Sequence, residues 1–232
     1  MYYIFMSRWE YIWINIILLL IGYLIGSINI SIIISKRKNK DIRKLGSNNA
    51  GATNALRVFG LKFGALVFSF DLLKSFIPIL ISYLFKKLLN NDFIIPLSAG
   101  LGALIGHILP CYFKFKGGKG VACFFGLILA FDLISFLLMV FIYLIFVIAI
   151  RYISISSVLI AIIFAFISFI PNYYGVWLLA FINFNIPKWS HSYILVFSSI
   201  LILLKHIPNY IRLSNKLENK ISFASKNQKI SN

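Results

Sequence analysis

The chain is poor in acidic residues, with six Asp and Glu among 232 residues against 23 Lys and Arg. Charged residues amount to only 12%, about half the share in soluble domains, which excludes an ordinary soluble domain. Its two cysteines, Cys111 and Cys123, stand in mostly apolar surroundings and exclude a secreted disulfide scaffold. No Cys/His set has zinc spacing, and no carboxylate pair is available for acid–base catalysis or a hard metal. We therefore predict neither a metal nor a cofactor.

Apolar residues are abundant instead, at 60% of the chain with a mean hydropathy of +0.91. A core of this size cannot bury such a surplus. The apolar runs are continuous rather than alternating, which excludes a transmembrane β-barrel. The sequence thus predicts an all-α integral membrane protein in contact with membrane lipids. The net charge of +17 follows from basic cytoplasmic loops, so no nucleic-acid partner is expected.

Six apolar runs predict the membrane helices, at residues 11–35, 63–85, 93–113, 121–150, 158–181 and 192–204. The fourth run is too long, since thirty residues form a helix of ~45 Å against a hydrocarbon core of ~30 Å. It is either one tilted helix or a hairpin that turns near Asp132. With the hairpin, 18 basic residues lie on one side and four on the other.

The positive-inside rule then favours seven spans, with the N-terminus outside and the C-terminus in the cytoplasm. Residues 1–213 are predicted to form a single membrane domain and residues 214–232 a polar basic cytoplasmic tail. Gly22 and Gly26 form a GxxxG pair, which permits close helix contact. Packing within one chain is favoured over dimerisation, and we expect a monomer.

Two polar segments carry residues that bind anions. The first, 46–57 (GSNNAGATNALR), offers N–H groups, hydroxyls and amides and ends in Arg57. The second, 115–122 (FKGGKGVA), surrounds Lys119 with glycines, an arrangement typical of phosphate cradles. It is not a Walker A loop, because Phe113 stands where the first glycine belongs. Solvated connectors and a positive-inside loop remain the alternative interpretations.

Weaker signals follow in two later segments and at one histidine. Ser154 and Ser157 are either helix caps or site hydroxyls. His206 and Asn209 in the tail are either interfacial anchors or site residues. His107 is expected to be a packed core histidine. Because all the polar segments fall on the predicted cytoplasmic side, they indicate one anion site at a lipid boundary.

These motifs resemble the signatures of the bacterial acyl-phosphate:glycerol-3-phosphate acyltransferases. Residues 46–57 resemble the first signature, Gly106-His107 with 115–122 the second, and HxxN from His206 to Asn209 the third. DLLK at 71–74 fits the family as well, and the resemblance covers about 22–218. Departures occur at Asn48, Ser75, Cys123 and Pro208.

The resemblance implies a seven-span enzyme of the bacterial inner membrane with its active site on the cytoplasmic side. Such enzymes transfer a fatty acyl group from acyl-phosphate to the 1-hydroxyl of glycerol 3-phosphate, giving lysophosphatidate and phosphate. Catalytic roles carry over to Ser47, Arg57, Lys119, His206 and Asn209. Substrate-binding roles are implied for Asn49, Thr53, Asn54, Gly117, Gly118, Gly120, Ser154 and Ser157.

Two other classes of protein remain as alternatives. A transporter for an anionic phosphorylated solute would suit the intramembrane residues Asp71 and Lys74. However, the polar clusters lie on one side only and no internal repeat is visible. A structural anchor would need neither the glycine loop nor the HxxN segment.

Overall fold

The computed structural model describes residues 8–170, 186 and 189–221, and the regular structure in those ranges is entirely helical. The helices are α1 (Arg8–Gly26), α2 (Ile30–Arg37), α3 (Ala52–Phe59), α4 (Leu61–Leu88), α5 (Leu97–Ile108), α6 (Val121–Phe131), α7 (Leu133–Ile150), α8 (Ile153–Ile167), α9 (Ser190–Lys205) and α10 (Ile207–Ser214). Short 3₁₀ turns lie at Ile42–Lys44 and Cys111–Phe113. The predicted continuation of the fifth apolar run over 171–181 lies outside the described residues.

Three described segments are long and apolar enough to cross a membrane: Ile12–Arg37, Leu61–Leu88 and Leu133–Ile150. A fourth is added if α9 and α10, which meet at a bend of 44°, count as one span. The apolar helices α5, α6 and α8 are shorter. The predicted all-helical membrane class is confirmed, since these helices also expose many large apolar side chains.

The fourth apolar run is broken at Asp132, as the hairpin interpretation predicted. α6 ends at Phe131, and Asp132 starts α7 by accepting a hydrogen bond from the Ser135 amide at 2.7 Å. The two helices fold back on each other, since the Phe125 ring lies 5.4 Å from that of Tyr143 between centroids. The hairpin is therefore confirmed, and an aspartate cap is its physical cause.

Glycine pairing joins α1 to α5. A Cβ added at Gly22 would lie 1.9 Å from the carbonyl oxygen of Ala99, and one at Gly26 would lie 2.1 Å from that of Ala103. Gly102 of α5 is just as close to the α1 backbone. The two backbones therefore touch, which only glycine permits, and the predicted packing within one chain is confirmed.

The helix ends collect at one end of the bundle. His107 near the end of α5, Val121 at the start of α6, Ser154 near the start of α8 and His206 after α9 all line the same cavity. α6 is the central helix and is almost wholly buried, whereas α7 buries only two residues. The chain thus runs alternately toward and away from the cavity.

Candidate active site

The cavity opens at the protein surface and has a volume of about 770 Å³, including the space at its mouth. It combines a polar rim with an apolar inner end. The sequence-predicted residues that line it are Ser47, Asn49, Thr53, Asn54, Arg57, Lys119, Gly120, Ser154, Ser157, His206 and Asn209. Segments far apart in the chain therefore meet at one place.

Four helices begin at this cavity. Their lining residues are Ala52 and Thr53 of α3, Val121 and Ala122 of α6, Ile153 and Ser154 of α8, and Asn209 of α10 with His206 before it. A helix N-terminus carries about half a positive charge on its unpaired N–H groups and favours anions. Pro208 leaves α10 without an N–H in its first turn, and the Asn209 amide donates to the His206 carbonyl. The starts of α3, α6 and α8, together with Lys119 and Arg57, therefore give the cavity the positive charge that an anionic ligand favours.

Asn54 shapes the first loop rather than offering its amide to a ligand. Its side chain is fully buried. Its Oδ1 accepts from the Ser47 amide at 2.8 Å, and its Nδ2 donates to the carbonyls of Leu45 and Asn49 at 2.9 and 3.0 Å. These partners occupy the amide, so Asn54 lines the cavity mainly as a support of the loop, and its substrate-binding role stays a prediction.

Positive φ angles explain two residues of the same loop. Gly46 has φ +59°, and a Cβ there would lie 2.3 Å from Asn54 Oδ1. Asn48, one of the departures from the family pattern, has φ +57°. Asparagine tolerates the left-handed region better than other side chains, so this departure preserves the loop.

Arg43 joins the first loop to the second. Its guanidinium holds Asp41 through Nε and Nη2, and its Nη1 donates to the carbonyl of Phe113 at 3.0 Å. The hydrogen bond from Arg43 lowers the pKa of Asp41 to about 2, so this carboxylate is ionised at neutral pH. Sequence reasoning did not find this bridge, because Arg43 looks like one more positive-inside residue.

Two glycines of the second loop do not line the cavity, contrary to expectation. A Cβ on Gly117 would lie 2.0 Å from the carbonyl oxygen of His107, and one on Gly118 would lie 2.0 Å from His107 Nε2. These residues are glycines because the loop lies directly on His107. Gly120, with φ +87°, does line the cavity and caps α6.

Glu218 is a site residue that sequence reasoning missed. It follows α10 in the predicted tail, yet it lines the cavity. Its Oε1 accepts from Ser154 at 2.9 Å and Asn209 at 2.8 Å, and its Oε2 accepts from Arg212 at 2.9 Å. Burial alone would raise its pKa, but these hydrogen bonds hold the pKa below its ordinary value. The start of the tail is thus part of the site.

Lys119 has an unusual environment for a lysine. Its ammonium donates to Asn209 Oδ1. Burial lowers the pKa of Lys119 to about 8, with a smaller contribution from Arg212 and Arg57 and an opposing one from Glu218. An incoming phosphate would supply the negative charge that this ammonium lacks.

His206 is held in one tautomer. Its Nδ1 lies 2.8 Å from the carbonyl oxygen of Ile202, which can only accept, so Nδ1 carries the proton and Nε2 is a free acceptor. Burial, then the neighbouring Lys119 charge, lowers the pKa of this histidine to about 4. Pro208 does not disturb it, because it lies in the first turn of α10, where its missing N–H is not needed.

The other predicted residues differ in how freely their polar groups face the cavity. Ser157 donates to the Ile153 carbonyl at 2.7 Å, within its own helix. Arg57 is exposed at the end of α3. Ser47 and Thr53 are half-buried on the rim. This places Arg57 and the Ser47 loop where a ligand enters.

Three buried ionisable residues lie in or beside the wall of the cavity. Asp71 and His107 line it, and Lys74 lies 2.8 Å from Asp71 Oδ1. All three are at most 5% exposed. His107 is therefore both a packed histidine and a neighbour of the site, whereas sequence reasoning favoured packing alone.

The inner end of the cavity is aromatic. Phe68, Phe125 and Tyr143 line it, with the Phe68 and Phe125 ring centroids 5.8 Å apart. Apolar walls beside a few convergent polar groups are typical of ligand sites. The arrangement suits an amphiphile with an anionic head and an apolar tail. Among the described residues, no group of three His, Cys, Asp or Glu could hold a metal ion.

Comparisons with known proteins agree with the motifs. The sequence model of the glycerol-3-phosphate acyltransferase family matches residues 16–216. A glycerol-3-phosphate acyltransferase of Mycoplasmopsis agalactiae is 40% identical over 231 residues, covering 90% of this chain and 95% of that protein.

Solved structures agree as well. The glycerol 3-phosphate form of PlsY, described as an integral membrane glycerol 3-phosphate acyltransferase, superposes with a TM-score of 0.73 at 32% identity. It covers 90% of this chain and 96% of that one. The lysophosphatidic acid form gives a TM-score of 0.69 at 32% identity, with 90% and 95% covered. These relatives support the acyltransferase interpretation over the transporter.

Proposed function

The chain belongs to the glycerol-3-phosphate acyltransferase family, and on that premise we propose that it acylates the 1-hydroxyl of glycerol 3-phosphate from acyl-phosphate. The products are lysophosphatidate and inorganic phosphate, and the reaction opens phospholipid synthesis. The observation that carries the proposal is the convergence of three helix N-termini, those of α3, α6 and α8, with Lys119 and Arg57 around one cavity that also has aromatic walls. Two phosphate groups and one acyl chain match that distribution of charge and apolar surface.

Arg57 and Lys119 hold the substrate phosphates. The two phosphates repel each other in one pocket, so both need a cation. Arg57 offers a bidentate fork at the mouth, and Lys119 a point charge farther in. The unpaired N–H groups at the starts of α3 and α6 add donors for the same oxygens.

The acyl group passes directly from donor to acceptor. The glycerol 1-hydroxyl oxygen attacks the acyl carbonyl, the carbon–oxygen bond to phosphate breaks, and the hydroxyl proton leaves with the phosphate. Ser47 and backbone N–H groups of its loop hydrogen-bond the donor, and Asn209 orients the acceptor. An acyl-serine at Ser47 would need an adjacent base with an orienting partner.

The departing phosphate is the better proton acceptor. His206 presents a free Nε2, but its pKa of about 4 makes it a weak base at neutral pH. A phosphate group titrates at ~6. His206 therefore positions glycerol 3-phosphate, the acyl acceptor, by accepting a hydrogen bond from it. Retention of more than roughly a hundredth of the activity in His206→Gln supports this, since a lost general base costs about 10²–10⁴-fold.

Purified protein in lipid nanodiscs tests the proposal. Phosphate should be released from palmitoyl-phosphate only when glycerol 3-phosphate is present, and palmitoyl-CoA should not replace the donor. Phosphate release that is independent of glycerol 3-phosphate would indicate a phosphatase instead. A radiolabelled acyl group trapped on Ser47 without glycerol 3-phosphate would exclude direct transfer.

The proposal includes seven spans, an outside N-terminus and a cavity that faces the cytoplasm of a bacterial inner membrane, in a monomer. The alternating helix directions and the Asp132 hairpin support it. Asn48, beside the cavity, and Asn90, at the far end of α4, are both exposed. In a Cys111→Ser, Cys123→Ser background, a maleimide that cannot cross the membrane should label Asn90→Cys in intact cells, but Asn48→Cys only after lysis. The reverse pattern would invert the topology.

A further inference from the structure

Three buried ionisable residues, Asp71, Lys74 and His107, contact one another within the apolar helix bundle. The Asp71 carboxylate lies 2.8 Å from Lys74 Nζ and 3.2 Å from His107 Nδ1. Lys74 Nζ and His107 Nδ1 are 2.9 Å apart. Ionisable groups inside a membrane are costly and mark functional sites. Apolar residues of similar volume would often stabilise a fold as much as a buried ion pair does. A contribution to stability therefore does not by itself explain why these three ionisable residues are buried.

Lys74 also fixes the backbone between α1 and α2. Its ammonium donates to the carbonyl oxygen of Ile28 at 3.1 Å. The next residue, Asn29, caps α2 and donates to the Ala50 carbonyl in the first loop at 3.3 Å. The set is therefore connected to the first loop through Ile28 and Asn29.

The second loop lies directly on His107. The Gly118 amide donates to the His107 carbonyl at 3.0 Å. The missing side chain of Gly118 leaves the space that the imidazole occupies, since a Cβ there would be 2.0 Å from Nε2. Gly117 crosses the His107 carbonyl just as closely. Both glycines thus serve the contact with His107.

Lys119 follows these two glycines. Its position is therefore set by how Gly117 and Gly118 lie on His107, while its ammonium reaches across to Asn209. A misplacement of about 1 Å by a change away from the chemistry can cost about a hundredfold in rate. Supporting residues with locked geometry prevent such a shift.

We propose that Asp71, Lys74 and His107 are positioning residues that fix the loop carrying Lys119. Asp71 and Lys74 hold the imidazole, and the imidazole is the surface on which Gly117 and Gly118 lie. The inference rests on the proposed function, in which Lys119 holds a substrate phosphate. It assigns the buried set a task in the reaction that is carried out through the loop.

A double-mutant cycle between Gly118→Ala and His107→Ala tests the contact. Gly118→Ala alone should lower kcat/KM by at least about tenfold, because its Cβ displaces the loop. In the His107→Ala background the ring is absent, so Gly118→Ala should cost less than about twofold more. Two losses that simply multiply would show that the ring does not support the loop, and would overturn the proposal.

A measurement that does not need turnover separates positioning from mere stability. Lysines labelled by reductive ¹³C-methylation can be titrated by NMR, with Lys119 assigned through its loss in Lys119→Arg. The groups that face Lys119 are Arg57 of α3, Arg212 of α10, Glu218 and His206. In Lys74→Met and His107→Gln the loosened loop should admit water, and the titration of Lys119 should move to higher pH.

Lys86→Met is the matched control, because Lys86 is also a buried lysine of α4 but lies at the far end, beside Asp92. It should leave the Lys119 titration in place. An unmoved titration in both Lys74→Met and His107→Gln, with folded protein, contradicts the proposal. If Lys74→Met does not fold, His107→Gln and the cycle decide. Wild-type protein without acyltransferase activity would refute the proposed function, whereas the NMR shift would still report on the loop.

Discussion

Asn209 donates from Nδ2 to Glu218 Oε1 at 2.8 Å. Its Oδ1 accepts from the Lys119 ammonium, so the two partners fix the orientation of the amide. One amide therefore joins the loop before α6, helix α10 and the segment after it. A carboxylate acceptor makes the bond to Nδ2 stronger than a neutral one.

Activity should fall at alkaline pH because Lys119 loses its proton. With a pKa of about 8, the ammonium is present below pH 8 and is lost as the pH rises through it. We expect kcat/KM to decline about tenfold per pH unit above that point. This decline is the alkaline limb of the pH profile. Lys119→Arg should abolish the alkaline limb and also lower activity, since a guanidinium does not replace a point charge among glycines. An alkaline limb that persists in Lys119→Arg would assign it to another group.

Glu218→Gln should move the alkaline limb to lower pH. The Glu218 charge stabilises the Lys119 ammonium and so raises its pKa; without that charge the pKa falls further below its ordinary value. Activity should drop as well, because the charged hydrogen bonds from Ser154, Asn209 and Arg212 are worth about 1.5–3 kcal/mol each. Asp92→Asn, which removes an exposed carboxylate at the far end, should leave the limb unchanged in the same kinetic pH profile.

Asn54→Ala should destabilise the protein. The substitution leaves the Ser47 amide and the carbonyls of the first loop without their partner, and we expect a loss of about 2–4 kcal/mol in unfolding free energy. Thermal unfolding in detergent measures it. Asn48→Gly should be nearly neutral because glycine accepts φ +57°. A fully stable Asn54→Ala would mean that the loop holds its shape without this side chain.

Arg43→Lys should lower kcat/KM about tenfold, although the charge is kept. A lysine cannot hold Asp41 and the Phe113 carbonyl together, so the two loops lose their bridge. Arg37→Lys is the control, because Arg37 is exposed at the end of α2. Equal kinetics for the two variants would show that the bridge has no part in the reaction.

Activity should not depend on a divalent metal. Arg57 and Lys119 supply the cations, and Mg²⁺ usually needs one or two carboxylates beside the phosphate oxygens. Both carboxylates at the cavity, Asp71 and Glu218, already have cationic partners. Dialysis against EDTA followed by assay checks this; activity lost with EDTA and restored by Mg²⁺ would contradict it.

The sequence predicted the all-helical membrane class, because long apolar runs indicate membrane helices. The seven spans and their orientation, which rest on loop charge, stay predictions. The break at Asp132 followed from a run too long for one span with a single charge inside it. The packing of Gly22 and Gly26 followed from their spacing. The sequence predicted the rim residues of the cavity from short polar motifs, which a protein that serves only as a membrane anchor would not need.

The rest of the site depends on contacts between distant segments, which a local pattern does not encode. Glu218 looked like part of a basic tail, although its membership of a set of only six acidic residues was a usable signal. His107 looked like a core residue because a lone histidine on an apolar helix usually packs. Gly117 and Gly118 looked like a phosphate cradle, since spacing shows that a side chain is absent but not what occupies the space.

The starts of α3, α6 and α8 meet at the cavity and bring main-chain N–H groups to it. Peptide dipoles do not change with side-chain identity, so this part of the site does not depend on which side chains the helices carry. Many side chains of these helices can therefore be exchanged without changing this contribution, provided that the helices still start where they do. Residues that fix these starting points, such as Gly120 with its positive φ, then matter to the site although they carry no charge.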